Sequence, residues 1–337
     1  MQNLDWKNLG FAFLPTNGHV QSDFADGKWG PLQFKQEAYI PMHVAANCLH
    51  YGQACFEGLK AFTTKGGKAV LFRPDRNADR LRASADRICM EAPSEELFIA
   101  ACRMVCDRNR DFIPPYGTGA SFYLRPLLIG TEPTIGIKPS ATYSFIVMAT
   151  PVGPYYKDGF SPVEAVVLED FDRAAPKGTG RAKMAGNYAA SLKPGLVAKK
   201  MGYPIVLFTD PRENLYVDEF GTSNFIGITA DGQYKTPESS SILQSITNES
   251  LQVLATDLGL KVSRTPIRLS GLDQFTEVGA CGTAAVITPV HAIQYRDRKF
   301  TFGDKAKAGQ TLTRLYQGLQ AIQYGETADK HGWLVNV

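Results

Sequence analysis

The run Pro151-Val152-Gly153-Pro154-Tyr155-Tyr156-Lys157-Asp158-Gly159 interrupts the chain near its middle. Proline lacks an amide donor and glycine resists a single backbone conformation, so neither a helix nor a central strand runs through such a segment. A chain of 337 residues is long enough for two domains that each bury a core. The expected organisation is a small N-terminal domain over 1–152, an interdomain loop over 153–161 and a larger domain over 162–337.

Periodicity on either side supports a mixed α+β pattern. Lys68 to Arg73 reads as a strand, followed by a helix from Asn77 with Ala78, Leu81, Ala85 and Ile88 on one face. Ser94 is an N-cap with Glu95 and Glu96 in the first turn, and that helix presents Leu97, Ala101, Cys102 and Val105 before Pro114-Pro115 stops it. Ser121 to Ile129 and Thr142 to Thr150 read as strands. In the second half, strands are expected near Val163–Leu168, Ile205–Phe208 and Asn224–Thr229. A helix carrying Leu251, Leu254, Ala255 and Leu258 closes at Gly259, several strands lie between Val278 and Phe302, and a last helix carries Leu312, Leu315, Leu319 and Ile322. The regular alternation of a TIM barrel or Rossmann sheet is missing. The first 45 residues carry no chemical motif and are read as an extended arm packing on the small domain.

A net charge of +3 with no basic run gives no footprint for nucleic acid. No apolar stretch reaches the ~18 residues of a membrane span, and the N-terminus lacks a signal-peptide pattern. The six cysteines (Cys48, Cys55, Cys89, Cys102, Cys106 and Cys281) form no Cys-x-x-Cys pair. They read as reduced thiols in a cytoplasmic protein without a metal site.

The chemistry concentrates in a few segments. Lys177-Gly178-Thr179-Gly180-Arg181-Ala182-Lys183-Met184-Ala185-Gly186-Asn187-Tyr188 is a glycine-rich loop around a lysine. It is not a Walker A loop, since Ala182 precedes Lys183 and Met184 follows it. It is not a dinucleotide fingerprint either, since Lys183 occupies the third glycine position. Alone, the loop reads by default as an exposed lysine in a glycine-rich turn. Glu219-Phe220-Gly221-Thr222-Ser223-Asn224 follows, then Ser245-Ile246-Thr247-Asn248-Glu249, a helix N-terminus able to hold an anion. Gly282-Thr283-Ala284-Ala285 is a small-residue turn whose amides can approach an anion. Upstream, Arg80 in Asn77-Ala78-Asp79-Arg80-Leu81 supplies a guanidinium, or else a solvated helix face.

In this order, with His50-Tyr51-Gly52, Phe56-Glu57-Gly58 and Tyr123-Leu124-Arg125-Pro126, the segments resemble the fold-type IV pyridoxal-phosphate enzymes, and among them the branched-chain amino acid aminotransferases. The resemblance runs from about His50 to the C-terminus. It implies a two-domain α+β fold with pyridoxal 5′-phosphate between the domains, and transamination between leucine, isoleucine or valine and 2-oxoglutarate. Lys183 would carry the cofactor as a Schiff base, Glu219 would pair with the pyridine nitrogen and Tyr188 with the ring's 3-oxygen. Arg80, Ile246, Thr247 and Thr283 would hold the phosphate. Phe56, Tyr155 and Tyr123 would wall the apolar substrate side chain, and Tyr51 would enter from the other subunit of a homodimer with active sites near the interface. Arg125 would take glutamate's distal carboxylate, Tyr123 with Thr283 and Ala284 the α-carboxylate, and Thr222 completes the expected substrate set. A fold-type IV lyase would keep Lys183 and Glu219 without needing Arg125, and a binding protein would need none of them. Mammalian relatives carry a Cys-x-x-Cys pair where this chain has Ala285 and Thr288, so no local disulfide is expected there, and Cys281 is read as buried and inert.

Overall fold

The apolar runs around Leu124 and Ile146 pair as antiparallel strands over ten residues each in the computed structural model, which describes residues 4–153 and 160–337. Tyr155 lies outside the described residues. The chain forms two units: Met1–Tyr155 with Ala182–Ala185 and Ala321–Val337, and Tyr156–Arg181 with Gly186–Gln320.

In the first unit the strands are β1 (His19–Ala25), β2 (Lys28–Trp29), β3 (Gln33–Lys35), β4 (Ala54–Phe56), β5 (Leu59–Thr63), β6 (Ala69–Phe72), β7 (Ser121–Gly130) and β8 (Tyr143–Val152). The helices are α1 (Asn47–Tyr51), α2 (Pro74–Arg87) and α3 (Glu95–Arg108). With the C-terminal strand Leu334–Asn336 they make one sheet in the order C-terminal strand, β6, β5, β7, β8, β1, β2, with β4 on β7 and β3 on β1. Buried Leu81 and Ala85 of α2 and Phe98, Ala101, Cys102 and Val105 of α3 join Phe122, Leu124 and Phe145 in the core. Phe98 stacks on Phe145 with ring centroids 5.7 Å apart, and truncating so deeply buried a ring costs about 3–5 kcal/mol. The buried stripe of α3 includes Phe98 where Leu97 was expected; Leu97 is half-buried. The helix also stops at Arg108, before the expected Pro114-Pro115, and a 3-10 turn at Arg110–Phe112 follows.

From His19 on, the N-terminal residues are part of the sheet and not an arm packed on it, whereas Leu4 and Leu14 before it pack on the core. β1 joins the sheet through β8, from Val20↔Val147 to Phe24↔Tyr143. Asp26 and Gly27, at φ 52° and 74°, form the turn into β2. An Asp-Gly pair with both residues at positive φ is a hairpin signal readable in sequence.

The second unit contains β9 (Val163–Val167), α4 (Ala185–Ala190), α5 (Leu192–Lys200), β10 (Ile205–Thr209), β11 (Val217–Phe220), β12 (Ser223–Thr229), β13 (Tyr234–Thr236), α6 (Ile246–Asp257), β14 (Val262–Arg264), β15 (Phe275–Gly282), β16 (Val286–Tyr295), β17 (Arg298–Thr301) and most of α7 (Gln310–Gln323). The strands run β11-β10-β9-β16-β15-β12, and β12 pairs back onto β11. Six strands therefore close on themselves and leave no edge along that ring. Ala165, Leu207, Phe220, Phe225, Ala280, Val290 and Ile293 are buried in its core cluster. The buried face of α7 is Leu312, Leu315, Leu319 and Ile322, as its spacing predicts. In α6, Leu258 is exposed and serves as the C-cap, so the buried face ends with Leu254 and Ala255.

The units differ from the sequence division in two places. Lys183 and its neighbours belong to the first unit, as does the tail beyond Ala321. The first unit is therefore not the smaller of the two.

Candidate functional site

In the first unit, the Lys183 peptide is pinned from two sides. Its N–H donates to Ser84 Oγ of α2 at 2.8 Å, and its carbonyl accepts from the Phe56 amide at the end of β4 at 3.0 Å. The Phe56 ring lies 4.9 Å from the Lys183 amine and 4.8 Å from the Arg125 guanidinium carbon. Burial, and then the nearby Arg80 cation, push the Lys183 amine down to about 8 against the pull of Glu57. A lysine in this state holds a useful neutral fraction near neutral pH, which a nucleophile or base requires.

Arg80 is not on a solvated helix face. Its Nε and Nη2 donate to the two oxygens of Glu57, each at 2.7 Å, and Glu57 is fully buried. Asn77 Nδ2 at 2.7 Å and the Gly58 amide at 3.2 Å also donate to that carboxylate. Tyr123 and Arg125 sit two apart on β7, so their side chains share a face. Arg125 Nη2 donates to the Tyr123 hydroxyl at 3.1 Å. A Cβ on Gly58 would overlap that hydroxyl, so the site needs glycine there. Among the described residues, the buried Nε of Arg125 has no hydrogen-bond partner. An orphaned guanidinium donor beside an aromatic ring is the setting for a carboxylate.

Tyr51 occupies an exposed surface. Its hydroxyl donates to the Ile135 carbonyl; exposed Leu49 lies on α1, Val44 just before it, and Ile135 and Ile137 on the 132–138 segment, which Ala46↔Pro133 and Asn47 N–H to Glu132 O tie to the start of α1.

In the second unit, Glu219 lies opposite Asn224 because β11 and β12 are joined by the tight Gly221-Thr222 turn. Its carboxylate is 4% exposed. It accepts from the Leu243 amide at 2.9 Å and Asn224 Nδ2 at 3.0 Å, and it pairs with Arg173 Nε at 2.8 Å. Burial outweighs the Arg173 cation and raises Glu219 to about 7. A group so balanced suits a partner that shares its proton, as a ring nitrogen does. Arg173 also donates to the carbonyls of Gly180 and Ser241, and a Cβ on Gly180 would strike the Ser241 backbone. Asn187 closes the same loop through Thr179, with bonds of 2.8 Å to both its hydroxyl and its carbonyl.

Asn224 Oδ1 accepts from Asn248 Nδ2 at 3.1 Å, which ties Glu219 to the start of α6. Ser245 caps that helix by accepting from the Asn248 amide at 3.2 Å. The amides of buried Ile246 and Thr247 precede the first intrahelical bond, where a helix holds anions. The Thr283–Ala285 turn joins β15 to β16 and ends at Val286 with φ 65°, a strained conformation for a β-branched residue. Asn224↔Cys281 pairing sets this turn beside the Gly221-Thr222 turn of the neighbouring hairpin. Thr222 is exposed and Thr283 and Ala284 are half-buried, as is Tyr188 in α4.

The expected residues that the structure describes thus fall into two groups, Tyr51, Phe56, Arg80, Tyr123, Arg125 and Lys183 in the first unit, and Tyr188, Glu219, Thr222, Ile246, Thr247, Thr283 and Ala284 in the second. The donors fit pyridoxal 5′-phosphate in kind: a depressed amine, a raised buried carboxyl, and a guanidinium and helix amides for a phosphate. Glu57, Ser84, Arg173 and Asn248 were missed. Glu57 stood inside a quoted motif, but nothing in the sequence marks Arg173.

Residues 54–293 match the profile of the family described as Amino-transferase class IV. The branched-chain-amino-acid aminotransferase of Haemophilus influenzae is 43% identical over 343 residues, covering 100% of both chains. That of Helicobacter pylori is 44% identical over 339 residues, covering 100% of this chain and 99% of the relative. Among solved structures, the branched-chain amino acid aminotransferase of Escherichia coli superposes with a TM-score of 0.79 at 29% identity, covering 95% of this chain and 98% of that one. The T.th. branched-chain amino acid aminotransferase complexed with N-(5′-phosphopyridoxyl)-L-glutamate has a TM-score of 0.77 at 27% identity, covering 95% of this chain and 99% of that one.

Proposed function

The chain belongs to the class IV aminotransferases and, within them, to the branched-chain-amino-acid aminotransferases, and from this we infer that its two groups of residues serve one transamination. The reaction moves the amino group of leucine, isoleucine or valine to 2-oxoglutarate, giving the branched-chain 2-oxo acid and L-glutamate. Pyridoxal 5′-phosphate, when bound, supplies the electron sink for charge released at the substrate's Cα. Lys183 would anchor it and, its amine held at about 8, would take the proton from the substrate's Cα and deliver it to the cofactor's C4′. Glu219 holds a proton at the ring nitrogen, and Tyr188 restrains the 3-oxygen. Arg80, the amides of Ile246 and Thr247 and the Thr283 hydroxyl hold the phosphate.

Arg125 distinguishes a transaminase from a lyase. Its unpartnered Nε and the Phe56 ring over its guanidinium support one pocket that takes either an apolar side chain or the distal carboxylate of glutamate. Tyr123, and the Thr283 and Ala284 turn, serve to receive the α-carboxylate, and Thr222 serves substrate recognition with them. A second copy of this chain covers the exposed patch around Val44, Leu49, Ile135 and Ile137, and contributes its Tyr51 to the neighbouring site. Contiguous exposed apolar residues of this kind mark an association surface. The six cysteines are free thiols, which supports a reducing, cytoplasmic setting. No helix among the described residues is long and apolar enough to cross a membrane.

The single observation that carries this reading is the pinned, depressed Lys183 amine beside Arg80 and Phe56. The test is borohydride reduction of the holoenzyme followed by peptide mapping. A pyridoxyl adduct on Lys183, lost in Lys183→Ala together with turnover of leucine with 2-oxoglutarate, supports it. An adduct on another lysine, or turnover surviving in that variant without added amine, overturns it.

A further inference from the structure

We propose that Glu57 is a positioning residue, which fixes the Arg80 guanidinium beside Lys183 and balances its charge there. The inference rests on the reading of Lys183 and Arg80 just given and extends it to a residue to which that reading gives no contact with substrate or cofactor.

The geometry carries it. Lys183 is held through its own peptide by the two elements that bear the pair. Its carbonyl accepts from Phe56, the residue before Glu57, and its N–H donates to Ser84, one helical turn beyond Arg80 on α2. Any shift of the Glu57–Arg80 pair is therefore a shift of the frame that positions the lysine. The pairing is also the specific kind. Both Glu57 oxygens take parallel donors from one edge of the guanidinium at 2.7 Å, which fixes its plane as a single contact could not. Asn77 and the Gly58 amide supply two further donors to Oε2. With four donors, this buried carboxylate is well satisfied and holds its orientation.

A cation held next to Lys183 has two opposed consequences. It supplies a donor for a phosphate, and it repels a proton from the lysine amine. Burial lowers the amine most, Arg80 lowers it further and Glu57 raises it, while Tyr123 and Arg125 on β7 act in opposite directions. Glu57 thus allows a phosphate-binding arginine to stand close to the reactive amine without its full unscreened charge. A merely structural ion pair makes a different prediction, because breaking it from either end would loosen the same packing and disturb Lys183 alike.

The test uses the full-length chain freed of cofactor. The pH dependence of Lys183 acylation by acetic anhydride is followed by mass spectrometry of its peptide. The midpoint is expected to fall by about one pH unit in Glu57→Gln and to rise by about one in Arg80→Met. The double variant returns close to wild type. Arg80→Lys keeps a cation opposite Glu57 and leaves the midpoint nearly unchanged, so the Arg80 variants decide the matter even if Glu57→Gln does not fold. As a second readout, binding of inorganic phosphate to the same cofactor-free chain weakens at least tenfold in Glu57→Gln. Midpoints that move the same way in Glu57→Gln and Arg80→Met, or an Arg80→Lys midpoint displaced as far as that of Arg80→Met, overturn the proposal. Failure of the parent reading is seen separately, as absence of a borohydride adduct on Lys183 in the wild-type holoenzyme.

Discussion

Replacing Lys183 with Met is expected to stabilise the cofactor-free protein at neutral pH while abolishing its chemistry. In the folded chain the amine is lowered from 10.5 to about 8. At roughly 1.4 kcal/mol per pH unit, that depression amounts to about 3 kcal/mol of destabilisation at pH 7. Methionine keeps an unbranched stem of similar length and no charge. The variant loses the cation over the Phe56 ring at 4.9 Å, an interaction of about 0.5–2 kcal/mol. The peptide bonds to Ser84 and Phe56 survive, since they use only the backbone. The lost cation–π contact is the smaller effect, and a net gain of about 1–3 kcal/mol remains.

The pH dependence identifies the cause. A lysine whose folded value is depressed contributes its stability above the unfolded value and loses it as pH falls through the folded one. The wild-type chain should therefore lose stability as pH drops from about 10.5 to about 8, the window set by Lys183, and the variant should not. Urea unfolding of both chains at pH 7 and pH 10.5, without cofactor, measures the difference. A gain at pH 7 that has largely vanished at pH 10.5 is the expected result. A variant less stable at pH 7, or a gain equal at both values, would refute the assignment of the amine as a half-buried, desolvated charge.

Other perturbations separate the remaining roles. Arg125→Met should raise the apparent KM for 2-oxoglutarate well above any change for leucine, because removing one partner of a buried charge pair costs about 2–5 kcal/mol; equal changes for both substrates would make Arg125 a structural support. Glu219→Gln should depress turnover more than cofactor content, whereas Arg80→Ala should weaken cofactor retention first; matching profiles in spectroscopic titration would mean that at least one role is misassigned. Since Glu219 is raised from 4.5 to about 7, its contribution to cofactor-free stability is present below pH 4.5 and lost as pH rises through 7, so the Gln variant should gain on wild type progressively across that window and no further above it. Cys281 is fully buried and burial raises its thiol well above the usual range, so mild peroxide should leave activity intact; reversible inactivation abolished by Cys281→Ala would contradict this.

How much of this was legible in sequence depends on the range over which each feature is encoded. Helix faces and caps repeat within one turn, so the stripe of α7, the Ser94 and Ser245 caps and the paired runs of β7 and β8 could be read directly. The N-terminal strands failed for a different reason. Val20 and Ser22 are both buried, so the alternation of β1 is not one of apolar against polar, and the Asp26-Gly27 turn was its only clear mark. Glu57 and Arg80 are 23 positions apart, and Arg173 and Glu219 are farther still. No periodicity relates such residues, because what joins them is the hairpin and helix geometry built from everything between. Lys183 shows the same limit from the other side. Its glycine loop suggested a turn in the second half of the chain, yet backbone bonds to Ser84 and Phe56 make it part of the first unit. Lys183, Glu219, Arg80 and Arg125, which sequence singled out, each have a chemically distinctive head group. Each one it missed orients such a head group, and that role is fixed only once the partner's position is known.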